Sequence, residues 1–321
     1  MKSVLIAAAG SGVSWQMINR LKIVWGDEVR VIAVDTNPRH LVAASLIADE
    51  FAQVPPSSSP DYGVVIADLL CRHEVTHCYP MVSEDFRVFE LLSREPRLSF
   101  CDFVMPANEV KAAYDKLHLF NILHASCFPI PSTLNVDCVC LDEIEGDRIF
   151  VKPRSGFGSK GARLMLKPEL PGFGDRDGLV IQSPCGAPEI TVDFYHDLHK
   201  GHYLGVCRER LEVKSGVCTK ARVFIDDELN ELGAALARRF GIHGGFCFQV
   251  MWHGRWVIVD VNFRLGAGTA ISCAVGADFF AASHAARTGL DGMKYLDVAL
   301  LRNHRCCYVV RQYCEFLTLV Q

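Results

Sequence analysis

Long apolar runs are missing from the chain. No stretch of about 18 consecutive apolar residues occurs, so no membrane span is expected. The first apolar run, Val4-Leu5-Ile6-Ala7-Ala8-Ala9, is cut at Gly10-Ser11-Gly12. It is too short for a signal peptide and lacks a cleavage context. Blocks of one charge are also missing. The formal net charge is -4, and Lys and Arg do not pile up on any segment. With no RNA- or DNA-binding signature, neither nucleic acid nor a membrane surface is expected as a partner. The 14 cysteines lack paired C-x-x-C spacing, as Cys138-Val139-Cys140 and Cys306-Cys307 show, which excludes a structural zinc framework. Most fall in apolar runs (Cys78, Cys101, Cys247, Cys273) and read as small buried hydrophobes. A reduced, cytoplasmic protein is expected rather than a disulfide scaffold. No internal repeat, low-complexity segment or Walker A sequence is present.

What is present is ordinary globular composition, 50% apolar and 22% charged, over 321 residues. That length implies two or three packed subdomains. The first hundred residues alternate strand and helix. Strands are expected at Val4–Ala9, Arg30–Val34, Glu50–Val54 and His77–Pro80, with helices at Val13–Val24, Asp61–Arg72 and Glu84–Arg94. This rhythm implies a doubly wound parallel sheet. Pro106–His124 reads as helix with a break near Asp115, and Phe128–Ser132 as an extended linker. Antiparallel pairs follow: Ile149–Lys152 with Ala162–Leu166, then Leu179–Gln182, then Glu189–His196 with His202–Arg210. Asp226–Phe240 is an amphipathic helix. Phe246–Trp252 and Trp256–Val261 form a hairpin through His253-Gly254-Arg255. A helix is expected over Asp278–Thr288 and a strand over Cys307–Leu319, pairing with a sheet edge or a second subunit.

Three features carry chemistry. The turn Gly10-Ser11-Gly12 follows a strand and opens a helix, and Asp35 ends the next strand, where a dinucleotide fold would hold a ribose. The third glycine of G-x-G-x-x-G is replaced by Trp15, so the turn reads either as ordinary βα geometry or as a substrate contact. The second feature is the strand Ile149–Pro153, ending in Lys152-Pro153 and followed by Arg154-Ser155-Gly156-Phe157-Gly158-Ser159-Lys160-Gly161. Glycines let backbone N–H groups approach phosphate oxygens, and lysine supplies charge. The third is Val259-Asp260-Val261-Asn262-Phe263-Arg264. Period-two spacing puts Asp260, Asn262 and Arg264 on one sheet face, near Gln249 on the paired strand. Val257, Val259, Val261 and Phe263 are expected on the covered face. Hard oxygen donors suit Mg²⁺ beside nucleotide phosphates, and the arginine suits a transferring phosphoryl group. His196, His199 and His202 surround a hairpin turn and read as a solvated turn rather than a metal site.

In their order these parts resemble the ATP-grasp superfamily, in the branch of carbamoyl-phosphate synthase large-subunit halves and related carboxylate–amine ligases, over about residues 1–290. The resemblance implies an α/β fold. Residues 1–105 would form a Rossmann-like parallel-sheet domain. Residues 106–295 would form an ATP-grasp domain with antiparallel sheets and a small lid at about 130–185, and residues 296–321 an extension. It further implies that Lys116 (in Asp115-Lys116) and Lys152 touch ATP phosphates, with Gly156, Phe157, Gly158, Ser159 and Gly161 closing over them. Gln182, Ser183 and Cys185 would form the adenine hinge, and Glu189 would bind the ribose. Gln249, Asp260 and Asn262 would hold Mg²⁺, with Mn²⁺ as substitute, and Arg264 would face the γ-phosphate. Relatives usually carry Glu at the positions of Gln182 and Asp260, and Pro at that of Phe263. The implied reaction phosphorylates a small-molecule carboxylate, and an amine then displaces phosphate, with Lys152 and Arg264 as the catalytic cations. Candidate substrate contacts are Ser11, Gly12, Glu84-Asp85, Arg208, Arg210 and Lys220. Two alternatives stay open, a non-catalytic or regulatory ATP-binding module and a dinucleotide-binding oxidoreductase, and a homodimer is a possible assembly.

Overall fold

The computed structural model describes residues 2–135, 144–156, 161–172, 178–214 and 216–318. The chain opens with β1 (Lys2–Ile6), α1 (Gly12–Trp25), β2 (Val29–Asp35), β3 (Glu50–Gln53), α2 (Tyr62–Arg72), β4 (His77–Tyr79), α3 (Ser83–Leu92) and β5 (Asp102–Phe103). The strands form a parallel sheet in the order β3-β2-β1-β4-β5. β1 is apolar without alternation because both its faces are covered. Val4 and Ile6 pack toward α1, while Leu5 packs with Ile66 and Leu70 of α2. The winding reverses between β1 and β4, so the ligand crevice of such a sheet lies at the carboxyl ends of these two strands.

Next come α4 (Lys116–Ala125) and four strands, β6 (Thr133–Asn135), β7 (Arg148–Pro153), β8 (Arg163–Leu166) and β9 (Leu179–Gln182). These strands form a small antiparallel sheet in the order β6-β9-β7-β8. The large antiparallel sheet contains β10 (Gly186–His196), β11 (Tyr203–Lys214), β12 (Val217–Phe224), β13 (Gly244–Trp252), β14 (Trp256–Asn262) and β15 (Cys306–Val310). Its order is β14-β13-β10-β11-β12-β15. One face packs Phe194, Phe246 and Phe248 against α4 and α5 (Asp227–Phe240). The other packs Val206, Ala221 and Val223 with α6 (Thr269–Cys273), α7 (Phe279–Arg287) and α1, which joins the two halves of the molecule.

Three expectations are corrected. β12 was not anticipated; its charged Lys220 and Arg222 mask a strand that pairs β11 on one side and β15 on the other. The closing strand ends at Val310, because beyond it the chain leaves the edge of the sheet, and its partner is β12. The alternation expected over Val257–Phe263 is interrupted. Gln249 pairs with Asp260 but Val250 with Ile258, so Val259 is an extra, bulged residue. Ile258, rather than Val257 or Val259, shares the core with Val261 and Phe263.

Candidate active site

The bulge shapes the site. It keeps Asp260 and Asn262 on the face opposite the Phe-rich core and frees the carbonyl of Val259, which accepts from Lys152 Nζ at 2.8 Å. Lys152 lies at the end of β7, is 6% exposed, and sits 4.4 Å from the centre of the Phe120 ring of α4. Burial pushes its ammonium down to about 8, with Asp260 pulling the other way and Lys116 reinforcing the drop. A buried lysine facing a carboxylate and a second lysine is poised for an anion.

Asp115 explains how α4 and the glycine loop are tied together. It caps α4 by accepting from the His118 N–H at 3.1 Å, and it grips the Arg154 guanidinium through two bonds of 2.7 Å. Burial opposes its charge, but Arg154 and the His118 N–H hold the carboxyl below its ordinary value. Lys116 Nζ donates to the Gly156 carbonyl at 2.7 Å, so the two lysines flank the root of the loop. Gly161 has φ +77°, and a Cβ there would lie 2.9 Å from Pro153, so only glycine fits. Phe157, Gly158 and Ser159 lie outside the described residues.

The expected hinge follows β9. Gln182 is buried and its amide donates to Thr133 Oγ1 at 3.0 Å. Ser183 N–H bonds the Ser132 carbonyl at 2.9 Å. Cys185 is half-buried, and burial pushes its thiol up, with the nearby Lys152 pulling weakly the other way. Glu189 is ion-paired with Arg210, and Arg210 also bonds the Gly216 carbonyl at 3.1 Å.

On the paired strands, Gln249 stands directly opposite Asp260, and Asn262 Nδ2 lies 3.2 Å from Asp260 Oδ2. All three are half-buried. Among the described residues no group of three His, Cys, Asp or Glu side chains could hold a metal by itself. One carboxylate and two amide oxygens do fit Mg²⁺ that arrives with nucleotide phosphates, since that ion takes few protein ligands. Arg264 follows β14, and its Nη1 donates to the Leu265 carbonyl at 2.9 Å. Among the described residues its Nε is buried without a partner, as is Glu84 Oε2. Burial pushes the guanidinium down, against the pull of Cys247, Asp260, Asp85 and Glu84. Glu84 and Asp85 open α3, and Asp85 is committed to the Tyr62 hydroxyl at 2.9 Å.

Ser11 caps α1, and a Cβ on Gly12 would lie 3.8 Å from Ala267, so this turn borders the loop after Arg264. Asp35 accepts from Gly10 N–H at 2.7 Å and from Asn37. The acid a dinucleotide would need is therefore spent on its own turn. Arg208 is a correction: the carboxylate it grips is Asp193, at 2.6 and 2.9 Å, deep in the sheet beneath α6. Thr269 and Ser272 complete that cluster by donating to Asp193 at 2.8 and 2.6 Å. Asp193 was missed, although the polar alternation Thr191, Asp193 along β10 was its signal. Lys220 is exposed and pairs with Glu212 at 2.8 Å.

Two lysines at the root of a loop on one antiparallel sheet thus stand beside the acid–amide hairpin of another, a set of cations and hard oxygen donors that suits phosphates. Residues 113–268, just under half of the chain, match the family described as the ATP-grasp domain. No curated protein sequence matches it. Among solved structures it is similar to N5-carboxyaminoimidazole ribonucleotide synthetase from Thermotoga maritima, at 18% identity and TM-score 0.68, covering 90% of this chain and 76% of that one. The Staphylococcus aureus synthetase complexed with ADP gives 15% identity and TM-score 0.74, covering 90% and 78%. The biotin carboxylase domain dimer of Hydrogenobacter thermophilus 2-oxoglutarate carboxylase, with MgADP and bicarbonate, gives 16% and 0.70, covering 90% and 70%. At these identities the likeness concerns the fold.

Proposed function

We propose that this chain is a Mg-ATP-dependent, ADP-forming ligase that activates a carboxylate as an acyl phosphate for attack by an amine. The observation that carries it is the buried Lys152, held by the Val259 bulge carbonyl beside Asp260 and aimed at the hairpin that bears Asn262 and Gln249. Lys152 and Lys116 bind the phosphates at the root of the glycine loop. Gln182, Ser183 and Cys185 line the base, and Glu189, steered by Arg210, meets the ribose. Mg²⁺, held by Asp260, Asn262 and Gln249 with the phosphates, supplies charge neutralisation.

A carboxylate oxygen attacks the γ-phosphorus, the bond to the β-phosphate oxygen breaks, and ADP leaves. The amine then attacks the acyl carbon, phosphate departs, and the nitrogen loses a proton. Arg264, whose Nε has no partner among the described residues, neutralises the developing phosphoryl charge beside Glu84 and the Ser11-Gly12 turn. Bicarbonate, present in the Hydrogenobacter structure, belongs among the carboxylates to be tried. That domain is also a dimer, and a homodimer is carried over here as a proposal.

An ADP-release assay over carboxylates and amines tests the reading. Turnover is expected with one pair and is lost in Lys152→Ala and Asp260→Ala; full activity in either variant would refute the site. A second reading, ATP binding without turnover, draws on the single carboxylate among Gln249, Asp260 and Asn262. It predicts bound Mg-ATP and no ADP release with any pair.

A further inference from the structure

Two features of the chain have no part in the chemistry above: Trp15, where a dinucleotide fold would have glycine, and the segment after β15. The structure brings them together. Trp15 and Phe316 pack with ring centres 4.5 Å apart. After β15 the chain keeps one more ladder bond, from Arg311 N–H to the Thr219 carbonyl at 2.9 Å, and then leaves the sheet. The Arg311 guanidinium donates to the Ala267 carbonyl at 2.9 Å. Thr318 donates to the carbonyl of His40.

These three anchors share a location. Ala267 lies three residues beyond Arg264 and faces Gly12. Trp15 lies on the first turn of α1, its N–H bonded to the Ser11 carbonyl at 3.0 Å. His40 follows β2, past Asp35, whose carboxylate holds the Gly10 turn. All lie at the carboxyl end of the parallel sheet, where ligands enter such folds. Segment 311–318 therefore crosses from the edge of the large sheet to the N-terminal sheet beside the acceptor end of the cleft.

Its anchoring is weak by design of composition. Tyr313 and Leu317 are mostly exposed, Phe316 is half-exposed, and the segment has no regular secondary structure. Burial pushes the Arg311 guanidinium down, and the neighbouring Arg208 adds to the drop. Exposed side chains and the lack of regular secondary structure describe an element that opens at low cost compared with the sheets it spans.

We propose that residues 311–318 form a strap that closes the acceptor end of the cleft, with Trp15–Phe316 as its latch and Arg311–Ala267 as its hinge. The strap keeps water from the phosphoryl group until the substrates are in place, and its release admits them. The inference rests on the ligase reading, because the pocket it closes is the one beside Arg264 and the Ser11-Gly12 turn.

The test uses the full chain with Mg-ATP and no carboxylate or amine. Wild type, Phe316→Ala and Arg311→Ala are compared for ADP release to water and, separately, for equilibrium Mg-ATP binding. Amide hydrogen exchange over 311–318 reports whether the strap has been released. The expected result is faster exchange in the strap, hydrolysis raised roughly tenfold, and Mg-ATP affinity within about twofold of wild type. Equal hydrolysis in released and wild-type chains, including none in either, with binding intact, overturns the strap alone. Failure of wild type itself to bind Mg-ATP overturns the ligase reading and the strap with it.

Discussion

Lys152 sits where a cation is least at ease. Its ammonium is 6% exposed, and burial pushes it from 10.5 to about 8. The unfolded chain then binds that proton more tightly than the folded one. The resulting penalty is full below pH 8, fades as pH rises from about 8 toward 10.5, and amounts to about 3 kcal/mol. Lys152→Met removes it but leaves the Val259 carbonyl unpaired, which costs about 1 kcal/mol. The variant is therefore expected to be about 2 kcal/mol more stable than wild type at pH 7, with the gap closing near pH 10. Urea unfolding at the two pH values checks this; a less stable variant at pH 7 would show that the lysine is structural. The sequence reads a lysine at a strand end before glycines as a candidate phosphate contact, and the structure buries that lysine beside Asp260. Its pairing with a main-chain carbonyl was not legible there, because that carbonyl is freed by a bulge that leaves no mark in residue type.

At the scale of elements, the large sheet shows why alternation misled at two points. Period two correctly put Asp260 and Asn262 on one face, because both lie on the same side of the bulge. It misplaced Val259 because one extra residue shifts parity for everything before it. On β11, alternation correctly joined Arg208 to Arg210, yet their fates differ. Arg210 reaches Glu189 at the rim, whereas Arg208 is sealed beneath α6 by Asp193, Thr269 and Ser272. Depth in a sheet depends on what packs above it, and α6 lies about sixty residues further along the chain. Breaking this buried pair by Asp193→Ala is expected to destabilise the protein by about 3–5 kcal/mol, since Arg208 stays buried and uncompensated. Asp193→Leu combined with Arg208→Met should restore about half of that or more in thermal melts. A single variant with wild-type stability would mean that the cluster does not hold the sheet to α6.

Across the whole molecule, the candidate site draws on parts that are distant in sequence. α1 and α3 contribute Ser11, Gly12 and Glu84, β7 and β9 contribute Lys152 and Gln182, and the β13–β14 hairpin contributes Gln249, Asp260 and Asn262. The two-part architecture was legible because a parallel βα rhythm gives way to antiparallel hairpins near Phe128. The strap was not, since Trp15 and Phe316 are about three hundred residues apart and meet only through the fold. The N-terminal sheet keeps the outline of a dinucleotide fold, but the Asp35 carboxylate accepts from Gly10 and Asn37 and is not free for a ribose. The most direct measurement is the thermal melt of the full chain with saturating Mg-ATP and, separately, with NADPH. A ligand that binds only the folded state raises the melting temperature by mass action. The expected result is a rise with Mg-ATP that disappears in Asp260→Ala, and none with NADPH. A rise with NADPH and none with Mg-ATP would contradict the assignment.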